Sequence, residues 1–444
     1  MAKEYLIGKF LKRIKRPIEL EPNQYYNLVT IKMNHKGVVL RGSKKGSDIK
    51  SKMFQVKEGD FILSGIDARN GAFGIVPKEL EGAIVTNDFW YFEIDENIIL
   101  KQLFLELTTM SWFDEICRKG SDGTTQRIRL QKDKFFNQKI LLPDTNEQKK
   151  LSDKILTFKI GQASIDFEIE SQKNNIINLR QAILLEAVQG KLTADWRVNN
   201  PDTEDASQLL KRIQEEKTQL IKDKKIKKEK VLPPITKEEI PYELPEGWVW
   251  SKLGIISLIV GGGTPKSSNP EYFCEEGISW FTPADLGKSK LKYVKNGRRD
   301  ITELGLKKSS AQLMPKGSVM FSSRAPIGHT AIGLKDFSTN QGFKSSVPYF
   351  MEMNEYIYIY LNSIVKDTNE NASGTTFKEV SGTIVKNFLF PLPPLEEQKA
   401  IVEKVNVSMG LCDALEQEVQ QSQEHSEQLM QSVLREVFEP NNVN

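Results

Sequence analysis

Cysteine and histidine are scarce in this chain of 444 residues, which contains only three of each. The cysteines, Cys117, Cys274 and Cys412, form no Cys-x-x-Cys pair, so neither a disulfide framework nor a zinc site is expected. No apolar run reaches the roughly 20 residues of a membrane-spanning helix, and the first residues lack the apolar segment of a secretory signal. These absences predict a cytoplasmic protein without a bound metal.

Catalytic motifs are also missing. Asp144 and Glu147 superficially match a nuclease pattern, but they stand three residues apart where a helix is expected to begin, and capping explains both. Neither Pro-Pro pair has the neighbours that an amino-methyltransferase needs, and the sequence contains no Walker motif. Residues 261–266 are rich in glycine but lack phosphate-loop spacing, so we expect a flexible turn there. The chain is predicted to have no catalytic activity of its own.

The most regular feature is a heptad seam, in which apolar and small polar residues recur at alternating intervals of four and three. This spacing is typical of a helix that lies along a partner helix. The same register recurs 250 residues later, so we expect two copies of a helix of about 36 residues. Two unrelated amphipathic helices are the alternative. The two sets of seam positions are Leu151, Ile155, Phe158, Gln162, Ile165, Ile169, Gln172, Ile176, Leu179, Ile183 and Glu186, and Ile401, Val405, Ser408, Cys412, Leu415, Val419, Ser422, Ser426, Leu429 and Val433.

The repeat extends upstream of both helices. A Gly-Thr-Thr segment at residues 123–125 returns at 374–376, and residues 56–64 match residues 314–322. Each of the latter runs is followed by an arginine and a glycine, and a Thr-Asn segment follows at residues 86–89 and 339–343. The sequence therefore predicts the order globular domain, long helix, globular domain, long helix.

Two segments carry a family resemblance. Residues 392–402 resemble the motif that opens the helix of type I restriction-modification specificity subunits, and residues 244–248 resemble the start of their target recognition domain. The resemblance implies an α+β protein with two globular mixed α/β target recognition domains in tandem. These domains are separated by two long helices that form an antiparallel coiled coil, with a pseudo-twofold internal repeat.

The resemblance also implies a function. Such a subunit is not catalytic, and each of its recognition domains reads one part of a split double-stranded DNA target. It docks two methyltransferase subunits and joins restriction (translocase) subunits, and S-adenosylmethionine, ATP and Mg are expected on these partners. A subunit of a methylation-only or other defence complex remains an alternative, and so does a coiled-coil scaffold that binds no DNA.

The expected boundaries follow from the repeat. Residues 1–143 and 246–393 are predicted as the two recognition domains, and residues 144–190 and 394–444 as the two long helices, with Gly190 as the stop of the first. Residues 191–245 are predicted as a helical connector, with a helix that begins at Thr203, followed by a proline-rich linker. With antiparallel packing, we expect seam residue x to face roughly residue 584 − x, so that Gln162 meets Ser422 and Gln172 meets Cys412.

Charge is distributed unevenly along the chain. Residues 1–57 contain 14 Lys/Arg against 4 Asp/Glu, and residues 288–344 contain 12 against 3. Residues 395–444 contain 3 against 10. A basic surface on each globular half beside an acidic helix indicates a polyanion on the domains and a protein on the helix, although solvated surface charge is the alternative.

The candidate DNA-contacting residues come from five kinds of segment. These are a basic loop at residues 41–52, the repeated arginine loops, the repeated Gly-Thr-Thr segments, the glycine-rich turn and paired surface arginines, each of which supplies donors suited to phosphates or guanine edges. Structural roles in turns and caps are the alternatives. The candidates are Arg41, Lys44, Lys45, Lys50, Lys52, Arg69, Thr124, Thr125, Arg127, Lys266, Arg298, Arg299, Arg324, His329, Thr375, Thr376 and Lys378.

Overall fold

A computed structural model describes residues 3–109, 111–123, 128–289, 291–324, 326–370 and 379–438. The chain divides into two compact units, residues 1–169 with 421–444 and residues 170–420.

The first unit contains short strands with alternating burial, as expected from its apolar runs and polar turns. The core between strands and helices is aromatic: Phe61 makes edge contacts with Phe104 and Phe113 at centroid distances of 5.1 and 5.7 Å. One sheet has the strand order Leu11–Ile14, Phe89–Ile94, Phe61–Ser64, Phe73–Ile75, and a second has the order Pro17–Ile18, Met53–Gln55, Ile84–Val85, Tyr25–Ile31, Val38–Lys45. Smaller pairs are Lys3–Leu6 with Lys139–Leu142 and Ser121–Asp122 with Arg129–Leu130, and the short helices are Ile7–Phe10, Lys101–Thr108, Ser111–Lys119 and Lys132–Phe136.

The second unit likewise combines two larger sheets with short helices. Its buried core includes Tyr356 and Tyr360, whose hydroxyls donate to Pro391 O and Leu389 O, each at 2.8 Å. One sheet has the strand order Ser257–Gly261, Lys344–Pro348, Val319–Phe321, Thr330–Gly333, Tyr293–Val294. A second sheet has the order Phe273–Cys274, Arg299–Ile301, Ile278–Phe281, Phe337–Thr339. The strand Val249–Lys252 pairs separately with Leu389–Leu392. The helices are Ala194–Asn199, Ala206–Lys222, Leu253–Ile256, Pro283–Ser289, Glu303–Lys307, Asn354–Ser363, Val365–Glu370 and Gly382–Lys386.

The long helices are Thr145–Val188 and Leu395–Phe438, each of 44 residues, so each extends beyond the seam of about 36 residues. The predicted cap is confirmed, because Asp144 Oδ1 accepts from the amides of Asn146 and Glu147, both at 3.1 Å. The predicted stop is also confirmed: Gly190 has a φ of 71°, the left-handed conformation in which helices commonly end.

The seam is narrower than the heptad pattern predicted. On the first helix Ile155, Ile169 and Ile176 are buried and Gln162 is half-buried, and on the second helix Val405, Cys412, Val419 and Ser426 are buried at intervals of seven residues. Gln172 and the apolar seam residues Ile165, Leu179 and Leu415 are exposed. Among the described side chains, one row of seam positions is therefore mostly buried and much of the second row is open.

The predicted pairing register is wrong by about one helical turn. Gln162 Nε2 donates to Ser426 Oγ, not to Ser422. In the second unit, Arg180 Nη1 contacts Met409 Sδ at 3.8 Å, and its Nη2 donates to Asp413 Oδ1 at 2.5 Å. The residue numbers of these partners sum to 588 or more, whereas the predicted register required a sum of 584. The register differs because a hydrogen-bonded polar pair fixes it, whereas apolar seam residues fit several offsets.

The internal repeat is visible in matching hydrogen bonds. The strand pair Lys3–Leu6 with Lys139–Leu142 corresponds to Val249–Lys252 with Leu389–Leu392. At each helix start a buried glutamine donates to a proline carbonyl, from Gln148 to Pro143 O at 2.9 Å and from Gln398 to Pro393 O at 3.0 Å. An offset of 250 residues therefore holds in three dimensions around both helix starts.

Three local expectations were wrong. The segment predicted as a basic loop begins as strand, since Val38–Lys45 pairs along Tyr25–Ile31. The glycine-rich turn is packed: a Cβ on Gly262 would lie 1.9 Å from Asn340 O, and one on Gly263 would lie 2.2 Å from Ala311 N. The connector helix begins at Ala206 and not at Thr203, because Asp205 caps it.

Candidate nucleic-acid interface

In the first unit, the arginine loop, the Thr-Asn segment and Leu130 meet at the end of the strand Phe61–Ser64. Gly65 N donates to Asp88 O in the Thr-Asn segment at 2.7 Å, and Gly65 O accepts from Leu130 N at 2.7 Å. Leu130 lies just beyond the Gly-Thr-Thr segment. A Cβ at Gly65 would lie 2.8 Å from Asp88 O, so this crossing requires a residue without a side chain.

The second unit brings the corresponding segments together in the same way. Ser323 N donates to Gly342 O at 2.8 Å, and Ser323 O accepts from Val380 N at 2.8 Å. Leu130 and Val380 are 250 residues apart, as are the two helix starts. The arginine loop, the Thr-Asn segment and a residue that follows the Gly-Thr-Thr segment thus converge in both units.

Basic side chains surround the first crossing. Arg13 lies over the Trp90 ring at 4.5 Å and donates to Asn87 O at 2.8 Å, and burial lowers the pKa of its guanidinium. Arg129 Nη1 lies 2.8 Å from Asp88 Oδ1 with its side chain 55% exposed. Arg69, half-buried, lies on the turn Ala68–Asn70 that follows the crossing strand. These residues place guanidinium groups around a small-residue crossing.

The second crossing has a similar set. Arg324 is exposed and its backbone pairs with Glu379 in an isolated antiparallel bridge. Lys344 lies at the start of the strand Lys344–Pro348. Its side chain is close to Gly382, because a Cβ added to that glycine would lie 3.6 Å from Lys344 Cδ. The His329 amide donates to Ser322 Oγ at 2.8 Å, and burial lowers the pKa of its imidazole.

A second basic surface follows an edge strand of the first unit. Val38–Lys45 is the last strand of its five-stranded sheet, with Arg41 and Lys44 exposed and Lys45 half-buried. Lys50 and Lys52 are exposed beyond the following turn. That turn packs tightly, since a Cβ at Gly46 would lie 2.1 Å from Glu21 O. The five cations therefore lie on ordered backbone.

The remaining described candidates of the second unit are partly engaged. Arg299 stacks on Phe273 at 3.6 Å, and Arg298 Nε lies 3.4 Å from Asp285 Oδ1. Lys266 is exposed on the loop after the packed glycines. Stacking and pairing leave part of each guanidinium edge open to a ligand.

Six candidates lie outside the described residues, namely Thr124, Thr125, Arg127, Thr375, Thr376 and Lys378. Sequence reasoning also missed three cations at the two crossings: Arg13, Arg129 and Lys344. Arg129 and Lys344 each directly follow a repeated segment, so the repeat offered a signal for both. No such signal pointed to Arg13, because its hydrogen-bond partner lies 74 residues away in the sequence.

Both long helices present apolar side chains to solvent. On the first helix, Ile160 and Phe167 are 65% and 77% exposed, and on the second, Leu411 is 65% exposed. Within the described ranges, no helix combines the length and apolarity needed to cross a membrane, and no cluster of three or more His, Cys, Asp and Glu residues could hold a metal.

Comparisons with known proteins agree with this architecture. The specificity subunit of the type I restriction enzyme MjaIX from Methanocaldococcus jannaschii is 35% identical over 164 residues, which cover 36% of this chain and 37% of that protein. The EcoAI specificity subunit of Escherichia coli is 32% identical, over 53% of this chain and 40% of that protein. The HindI specificity subunit of Haemophilus influenzae is 24% identical, over 92% and 93%. The chain thus spans less than half of the first two relatives and nearly all of the third.

Solved structures show the same fold. A chain from a structure of the type I R-M system, studied for its complex assembly and conformational transition, aligns with a TM-score of 0.65 at 19% identity, over 98% of this chain and 97% of that one. The HsdS subunit from Thermoanaerobacter tengcongensis aligns with a TM-score of 0.50 at 18% identity, over 98% and 96%. At these levels of sequence identity, the structural similarity establishes the fold alone.

A family model covers both halves of the chain. The model of the type I restriction modification DNA specificity domain matches residues 7–179 and residues 245–423. These two segments make up more than half of the sequence, and each includes one of the crossings described above. The chain therefore belongs to the family of type I restriction modification DNA specificity domain proteins.

Proposed function

We propose that this chain is the DNA-reading specificity subunit of a type I restriction-modification system, without catalytic activity of its own. Each half reads one part of a split double-stranded target, and the DNA between the two parts is not read. The observation that carries this proposal is that the arginine loop, the Thr-Asn segment and a residue beyond the Gly-Thr-Thr segment converge in both halves. Arg69 and Arg129 lie near one crossing, and Arg324 and Lys344 lie near the other.

The chemistry of these crossings suits DNA. Guanidinium groups can contact phosphates, or guanine edges with two donors at once, and small residues let the backbone approach a groove. The basic strand Val38–Lys45 adds phosphate contacts that position the domain without reading sequence. We propose the candidates predicted from the sequence as contacts, including the six outside the described residues.

The long helices supply the proposed partner surfaces. Their exposed apolar side chains, such as Phe167 and Leu411, leave a surface that another helix could cover. We propose that two methyltransferase subunits dock on these helices, and that restriction subunits join through them. S-adenosylmethionine, ATP and Mg then act on the partners, and the complex works in the cytoplasm.

A gel-retardation assay with the assembled subunit and methyltransferase tests this function. Replacing Arg324 with alanine should weaken target binding at least tenfold and reduce the dependence on salt concentration, because one charge contact is lost. The exposed Lys211 on the connector helix supplies the control, and Lys211→Ala should leave binding unchanged. A complex that binds no DNA, or an Arg324→Ala complex with full affinity, would contradict the proposal.

A further inference from the structure

The second long helix begins at a buried carboxylate that holds the connector in place. Glu397 is fully buried and accepts from Thr193 Oγ1 at 2.7 Å, from Trp248 Nε1 at 2.7 Å and from Arg197. All three donors belong to the segment between the first long helix and the second domain, or to its boundary. The carboxylate therefore joins the helix start to a turn that arrives from elsewhere in the chain.

A lysine two turns further along the same helix makes a second attachment. Lys404 Nζ donates to Leu192 O at 3.1 Å and pairs with Asp195 Oδ1. Thus Glu397 and Lys404, seven residues apart on the helix, both bind the turn around residues 192–197. Because seven residues are close to two helical turns, both side chains project from nearly the same side of the helix.

The connector covers more than the helix start. Leu209 and Ile213 of the helix Ala206–Lys222 are buried, and Lys217 Nζ donates to Gly254 O at 3.0 Å. Tyr242 packs on Trp250 at 5.0 Å, and Pro391 on the strand paired with Trp250 is buried.

The first long helix carries the same pair of charges without such a cover. Glu147 and Lys154 stand 250 residues before Glu397 and Lys404, and both side chains are exposed. Neither makes a side-chain hydrogen bond or ion pair with the part of the chain that the structure describes. Leu141, at the position equivalent to the buried Pro391, is 68% exposed. We call Leu141, Glu147 and Lys154 the open face.

We propose that the open face is a docking site for a polypeptide segment of a partner chain that resembles residues 192–222. Such a segment presents a short helical turn with an aspartate and an arginine two residues apart, followed by an amphipathic helix. The arginine would meet Glu147, the aspartate would meet Lys154, and the apolar stripe would cover Leu141 and the helix Ile7–Phe10.

Complementary charge and the repeat identify this occupant. Exposed residues of opposite sign, fixed seven residues apart on a rigid helix, select a partner with the reversed pair at matching spacing. The same pair in the second half already holds such a turn, so the geometry is known to be compatible with it. Burying Leu141 adds an apolar contribution that a purely charged partner would not obtain.

The test adds the proposed occupant to the full chain. A variant in which a second copy of residues 189–222 follows Phe438 should melt several degrees higher than the unmodified chain. A control extension with the aspartate and arginine of the added copy changed to asparagine and glutamine should give no increase. A labelled peptide of residues 189–222 should also bind the unmodified chain in trans, as followed by fluorescence anisotropy.

Substitutions on the open face separate specific docking from other effects. Glu147→Gln and Lys154→Gln should each abolish the melting increase and weaken peptide binding at least tenfold, while leaving the melting of the unextended chain unchanged. Asp153→Asn, an exposed acid on another side of the helix, should preserve both signals. An extension that gives no stabilisation, or one that stabilises the Glu147→Gln chain equally, would overturn the proposal.

Discussion

The buried Glu397 joins the start of the second long helix to the connector and to the start of the second domain. Its carboxylate accepts from Trp248 and Thr193 at 2.7 Å and from Arg197, and it is out of reach of water. Removing one partner of a buried ion pair leaves the other charge uncompensated. We expect Glu397→Ala to lower the free energy of unfolding by about 3 kcal/mol, measured by chemical denaturation.

The repeat supplies a matched control for that substitution. Glu147 occupies the equivalent position on the first long helix and is exposed. Glu147→Ala should change the free energy of unfolding by less than about 0.5 kcal/mol, as is usual for surface substitutions. Equal losses at the two positions would contradict the role that we assign to Glu397.

Single-residue roles were predictable only where the partner is close in sequence. The Asp144 cap could be predicted because its partners are two and three residues away. The partners of Glu397 are 149 to 204 residues away, so its role depends on the folded chain. For the same reason Arg13 could not be selected as a candidate from the sequence, whereas the repeat made Arg69 and Arg324 candidates.

At the scale of elements, the polar pair Gln162 and Ser426 determines how the two long helices align in the first unit. Gln162 Nε2 donates to Ser426 Oγ, while its Oε1 is buried without a partner among the described residues. Replacing both residues with apolar ones removes this unsatisfied group. We expect the double variant Gln162→Leu, Ser426→Ala to raise the free energy of unfolding by about 1 kcal/mol.

Thermal unfolding followed by helical circular dichroism can check this expectation. Asn175 is exposed on the same helix, so Asn175→Leu should leave the midpoint unchanged and serves as the control. A lower midpoint for the double variant would show that the hydrogen-bonded pair stabilises the protein by more than the free energy needed to bury it.

The elements themselves were predicted with uneven success. The heptad spacing predicted both long helices, because apolar residues that recur with this period over many turns are typical of paired helices. The spacing did not determine the register, since a shift of one turn keeps apolar residues in contact. The strand Val38–Lys45 was missed because glycine, serine and lysine favour loops, and only pairing with Tyr25–Ile31 makes this segment a strand.

At the scale of the whole molecule, we propose that two repeated domains read a split DNA target and that the helices set the length of the spacer. Deleting one heptad shortens a helix by about 10 Å, which corresponds to roughly three base pairs. The deletion must remove facing residues from both helices. The register of Gln162 with Ser426 indicates residues 165–171 and 417–423.

Methylation mapping of DNA exposed to the subunit with its methyltransferase tests this claim most directly. The unmodified complex should methylate a motif of two fixed half-sites around an unread spacer. The complex with both deletions should keep the two half-sites and shorten the spacer by about three base pairs. An unbroken motif, or a folded and active deletion variant that keeps the original spacer, would contradict the claim.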